Sequence, residues 1–101
     1  MTKFVLVFRG GQPDTPEAGQ KMMADWNTWM EDLGSKMVDP GAAVGKSRFL
    51  TAPATEGKVE GAISGYSVIE AADFDEALAL AGKCPIFDGN GTIEVAESID
   101  M

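Results

Sequence analysis

Few residues in this chain can do chemistry. There is no histidine, which removes the side chain most often used as a general base or metal ligand near neutral pH. The types left that can hold or activate a small molecule are Arg9, Trp26, Trp29, Asp39 and Tyr66, with a single cysteine, Cys84. Trp26 and Trp29 are spaced to share one face of a helix, and each indole brings an N–H that needs a partner. They are either core or the wall of a ligand box. Arg9 is either a surface charge or a cation facing an anionic ligand, a carboxylate or phenolate. Acid–base work would fall to Asp39, to Tyr66 or to another carboxylate, a task that needs a shifted pKa. Tyr66 can bury its ring and leave its hydroxyl at a pocket or an oligomer seam.

Cys84 follows the C-terminal end of a predicted helix, where the helix dipole disfavours a thiolate. A packing role is expected, and Cys84→Ala should be tolerated. Zinc is not expected, because one cysteine and no histidine cannot assemble a familiar site. Gly45-Lys46-Ser47 lacks both the glycine spacing and the following helix of a phosphate loop. Gly10-Gly11 lacks the third glycine and downstream acid of a dinucleotide site and reads as a turn. Asp88-Gly89-Asn90-Gly91 begins like a calcium loop, but isoleucines fall at the positions that need glycine and glutamate. No motif calls for a cofactor or a metal.

The elements that must position these residues are legible from pattern. Residues 3–9 form an apolar run that reads as a strand, with Phe4, Leu6 and Phe8 on one face and Val5 and Val7 on the other. Thr15, Pro16 and Glu17 form a helix start, and Gly34 a stop, for a helix over about 16–33. Its apolar stripe is Met22, Trp26, Met30 and Leu33, with Met23 and Trp29 beside it. Met37-Val38 opens a second strand, broken by the turn signal Asp39-Pro40-Gly41; residues 46–50 extend or resume it. Residues 51–61 read as an exposed loop or hairpin connection. A third strand over 62–70 leads to a helix over about 74–82, capped by Asp73 with Glu76 reaching back. Its expected inner stripe is Phe74, Ala77, Leu78 and Ala81. Thr92 to Glu97 is the last strand.

The order β-α-β-β-α-β is that of a ferredoxin-like split βαβ fold: α+β, one four-stranded antiparallel sheet, two helices on one face. The single domain spans 1–101. Two layers leave one sheet face uncovered, yet the first strand is apolar on both sides. A second copy of the sheet is the simplest cover, so a homodimer is expected, with Val5, Val7, Ile93 and Val95 in the seam.

Charge limits the partners. Eight basic residues against 16 acidic give a net charge of −8, which argues against nucleic acid and against an anionic membrane surface. No apolar run approaches the ~20 residues of a membrane span, and the run at Met1–Arg9 is too short for a secretory signal. With one cysteine no intramolecular disulfide can form; a cytoplasmic location is expected.

Trp26 and Trp29, Leu33-Gly34, Val38-Asp39-Pro40-Gly41, Gly65-Tyr66-Ser67-Val68-Ile69-Glu70-Ala71, Asp75-Glu76-Ala77, Cys84-Pro85 and Ile93-Glu94-Val95 together resemble the YCII-related family over nearly the whole chain. The resemblance implies a dimeric α+β barrel, and a small-molecule site in a family where some relatives act as lyase-like enzymes. Two family features are missing. The His–Asp pair proposed as catalytic in some members has no histidine here, and the Asp-Gly-Pro-Phe motif of another branch is absent from the 51–61 loop. Asp39 is the nearest candidate for a retained acidic residue.

Three functions stay open: a ligand-binding or enzymatic dimer, a non-catalytic interaction or regulatory scaffold, and an accessory of transcription acting through protein contacts. The first places Arg9, Trp26, Trp29, Asp39 and Tyr66 around one cavity between the first helix and the sheet.

Overall fold

The computed structural model describes residues 1–99. Strand β1 (Thr2–Arg9) leads to helix α1 (Pro16–Leu33), and a short 3-10 turn connects it to β2 (Met37–Ala43). A small ribbon follows, β3 (Phe49–Thr51) and β4 (Thr55–Gly57), then β5 (Ile63–Ala71), α2 (Phe74–Ala81), a 3-10 turn (Pro85–Gly89) and β6 (Thr92–Glu97). The main sheet has the order β2-β5-β1-β6 with every neighbouring pair antiparallel. This is the expected α+β ferredoxin-like arrangement, with one addition: β3 and β4 form a separate two-stranded sheet.

Both helices start where their caps require. The Thr15 hydroxyl accepts from the Ala18 N–H at 3.1 Å, with Pro16 in the first turn. Asp73 accepts from the Glu76 N–H at 2.9 Å, while the Glu76 carboxylate accepts from the N–H of Ala72, the residue before the cap. Gly34 ends α1 at φ 56°, its N–H turned back to the Met30 and Glu31 carbonyls.

Register decides which side chains meet the helices. Phe4 pairs with Ile69, Leu6 with Ser67 and Phe8 with Gly65, and all six are buried. With Trp29, Leu33, Ala77, Ala81, Cys84 and Ile86 they make the core. Val5 and Val7 pair with Val68 and Tyr66 on the opposite, open face. Ile93 and Val95 do not join them. They stand opposite Phe8 and Leu6 and pack on the core from the helix side, which corrects their expected place in an outer seam. Leu78 also leaves the expected inner stripe of α2: it is exposed, because the helix meets the sheet through Ala77 and Ala81.

The Asp39-Pro40-Gly41 turn signal does not end β2. It produces irregularities inside the strand, where Asp39 opposes Val68 and Ala42 opposes Tyr66. Residues 49–51 likewise do not resume β2 but pair with Thr55–Gly57.

Candidate functional site

Three aromatic rings meet where β1 ends under α1. Phe8 lies 5.0 Å from Trp26 and 6.5 Å from Trp29, and the two indoles lie 5.4 Å apart, every pair edge to face. Such contacts contribute about 0.5–1.5 kcal/mol each beyond burial. The two indoles then diverge in role. Trp29 is buried and donates its N–H to the Leu80 carbonyl at 3.0 Å, locking α1 to α2. Trp26 is half-buried and faces a cavity of about 510 Å³, within the size range of small-molecule sites.

That cavity lies between the first half of α1, the Gly10-Gly11 loop, the kinked part of β2 and Ile86. Its walls are mostly apolar: Phe8, Met22, Met23, Met30 and Ile86 beside Trp26. Methionine adapts its shape to planar and irregular ligands alike. Gln12 and Asn27 supply uncharged polar groups, and the Ser67 hydroxyl, also in the lining, donates to the Pro40 carbonyl at 2.8 Å. Two glycines make close approach possible. Gly11, at φ 75°, lies where a Cβ would strike the Ile86 side chain, and Gly41, at φ 71°, lies where a Cβ would strike the Tyr66 carbonyl.

Of the five expected site residues, Trp26 and Tyr66 line this cavity. Tyr66 pairs with Val7, so its side chain belongs to the open face of the sheet. Arg9 is elsewhere. It shares the parity of Val5 and Val7, donates through Nε to the Gly61 carbonyl at 2.8 Å, and pairs with Glu94 at 2.9 Å. The Asp39 carboxylate accepts from the Gly41 N–H at 2.8 Å and so shapes the β2 kink. Trp29 lines a second cavity of about 730 Å³, on the other side of α1 near α2, together with Asp25, Asp32, Lys83, Cys84 and Asp88. Among the described residues no group of three or more His, Cys, Asp or Glu is placed to hold a metal ion.

Sequence reasoning missed Gln12, Asn27, Ser67 and Ile86. Ser67 sits inside the Gly65–Ala71 match without a role of its own there, and the other three carry no motif; they come together only because α1, β5, the loop after β1 and the Pro85–Gly89 turn converge.

Cys84 is 3% exposed. Burial pushes its thiol up to about 12, with the Asp88 charge adding and a hydrogen bond from Ile86 opposing. The native state holds the thiol protonated while the unfolded chain ionises it near pH 9. Stability from this group is therefore full below pH 9 and lost as pH rises toward 12, with a slope of up to about 1.4 kcal/mol per pH unit. Urea unfolding above pH 9 should show the wild type losing stability faster than Cys84→Ala. The substitution itself should cost about 1–2 kcal/mol at neutral pH through lost packing. Equal pH slopes, or rapid alkylation of native Cys84 at neutral pH, would overturn this.

No family model matches the chain, and no curated protein matches it. Among solved structures it is similar to 5-chloro-2-hydroxyhydroquinone dehydrochlorinase from Burkholderia phenoliruptrix AC1100, a structure in complex with 2,5-dihydroxybenzoquinone. The TM-score is 0.60, at 18% sequence identity, over 97% of this chain and 95% of that chain. The shared property is the fold. The likeness runs almost end to end, so the βαββαβ order is a common scaffold rather than a local match.

No helix among the described residues is long and apolar enough to cross a membrane.

Proposed function

We propose that this chain is a homodimeric, YCII-type binding protein for a small, uncharged, planar six-membered ring bearing oxygen, of the phenol, hydroquinone or quinone class. The observation that carries the reading is the cavity walled by Phe8 and Trp26 with a methionine lining. No arginine or lysine lines it, so an uncharged ring fits better than the anionic ligand that Arg9 would have favoured. The similar dehydrochlorinase structure is a complex with 2,5-dihydroxybenzoquinone, which supports a planar oxygenated ring; the preference for an uncharged one rests on the lining alone.

Binding is favoured over catalysis. Tyr66 is the one lining residue with an ionisable side chain, and the register places that side chain on the open face of the sheet. Asp39, the other named acid–base candidate, spends its carboxylate on the Gly41 N–H. A ligand in this cavity is thus held by stacking, sulfur contacts and the amides of Gln12 and Asn27.

Calorimetric titration with hydroquinone and 1-naphthol tests this. Saturable binding is expected, weakened about tenfold or more by Trp26→Ala, a loss of at least about 1.4 kcal/mol. Arg9→Gln should leave it unchanged. Absence of saturable binding by both probes would put the scaffold reading ahead.

A further inference from the structure

The β3–β4 ribbon stands away from the rest of the fold. Its strands make their main tertiary contacts with each other, and Phe49 and Leu50 are 49% and 68% exposed. The radius of gyration, 14.7 Å, exceeds the about 13 Å typical of a compact domain of this length. A two-stranded ribbon alone is marginal in water and needs a packing surface. Its two strands are tied by Arg48, which gives Glu56 two hydrogen bonds, of 2.7 and 2.8 Å. An arm with exposed apolar side chains and no surface beneath it is prepared to meet one.

Charge identifies that surface. Residues 46–58 carry Lys46, Arg48 and Lys58 against Glu56, a net of +2, so the rest of the chain carries −10. Lys46 and Lys58 form no ion pair among the described residues. The arm is the basic part of an acidic molecule, and its complement is the body of another copy.

We infer that the Phe49–Gly57 ribbon is an exchange arm: each copy lays it on the acidic body of its dimer partner, burying the face that carries Leu50, with Phe49 on the other face by strand alternation, and setting Lys46 and Lys58 against the partner's carboxylates. This rests on the homodimer reading. It adds a second contact to the sheet seam, and two-fold symmetry makes the contact reciprocal.

Sedimentation equilibrium on the 101-residue chain distinguishes the outcomes. Leu50→Asp should weaken dimerisation about tenfold or more. Lys46→Glu/Lys58→Glu should weaken it about threefold to tenfold at low salt, with the difference shrinking at high salt. Far-UV circular dichroism should match wild type for both, as should urea midpoints at dilutions where every protein is monomeric, because neither change touches the core. A dimeric wild type with unchanged dissociation constants in both variants overturns the arm and leaves the sheet dimer standing. A monomeric wild type overturns the dimer reading and the arm with it. Unchanged dimerisation combined with altered 1-naphthol binding also overturns it, by assigning the arm to the cavity of its own chain.

Discussion

Val7→Asp should leave the protein folded and make it monomeric. Val7 sits on the uncovered face of the sheet, paired with Tyr66 on one side and Glu94 on the other. Val5, Val68 and Ala96 share this face by register. Lys3 opposite Glu70 bounds it at one end, and the Arg9–Glu94 pair at the other. An apolar centre with charged margins is the pattern of a surface that associates. In the separated chain Val7 is half-buried, so a carboxylate there can reach water, and unfolding should change by no more than about 1 kcal/mol. In a closed seam the same carboxylate is buried beside Glu94 and, by symmetry, near its own copy. An unpaired buried charge costs about 3–5 kcal/mol, which is at least about a hundredfold in the dimer constant. Sedimentation equilibrium reads the association, and urea unfolding at dilutions where both proteins are monomeric reads the chain's own stability. A variant that stays dimeric at the wild-type constant would remove the sheet seam.

Much of this architecture is present in local chemistry. Thr15-Pro16, Gly34 and the Asp73–Glu76 pair act within one helical turn, so short-range rules locate both helices. The split βαβ order follows from where strands and helices alternate. The faces of β1 also follow from period-two alternation, and that parity already contains the position of Arg9. As an odd-numbered residue with Val5 and Val7, it cannot face the helices unless β1 itself bulges. The bulge falls on β5 instead, where Phe8 pairs with Gly65 and Arg9 with Ile63. The skipped residue, Ser64, donates to the Gly10 carbonyl at 3.0 Å.

What could not be read is set by contacts distant in sequence. Ile93 and Val95 alternate cleanly with Thr92 and Glu94, but which face is inward depends on pairing with β1 some 85 residues away, as in the Arg9–Glu94 contact. The helical pattern puts Trp26 on the apolar stripe and Trp29 beside it, yet Trp29 is the one that is buried. The Leu80 carbonyl, at a separation of 51 residues, makes one structural and leaves the other at the cavity. The polar run over 51–61 carries no signal for a stand-alone ribbon, because its Arg48–Glu56 clasp and three residue pairs have neither the length nor the alternation of a buried strand.

Gly41→Ala should be the most damaging single-methyl change in the chain. Gly41 has φ 71°, a left-handed conformation that costs an alanine about 1 kcal/mol or more before any contact is considered. The added Cβ would also run into the Tyr66 carbonyl oxygen. That oxygen belongs to the neighbouring strand of the sheet, so it cannot move aside as a flexible side chain could. Relief requires β2 to separate from β5 at the place where Asp39 caps the Gly41 N–H and Ser67 holds the Pro40 carbonyl. Together these point to a loss of about 3 kcal/mol or more in urea unfolding. Because Pro40, Gly41 and Ala42 form one wall of the cavity, 1-naphthol binding should fall with stability. Gly45 provides the control: a methyl group added there would meet no atom within 4 Å, and its φ is not left-handed, so Gly45→Ala should stay within about 0.5 kcal/mol of wild type. Asp39→Ala should fall between the two, at about 1 kcal/mol, since it removes the hydrogen bond without forcing the strands apart. If Gly41→Ala proves as mild as Gly45→Ala, β2 does not cross β5 in this register and the cavity loses the wall on which its proposed ligand rests.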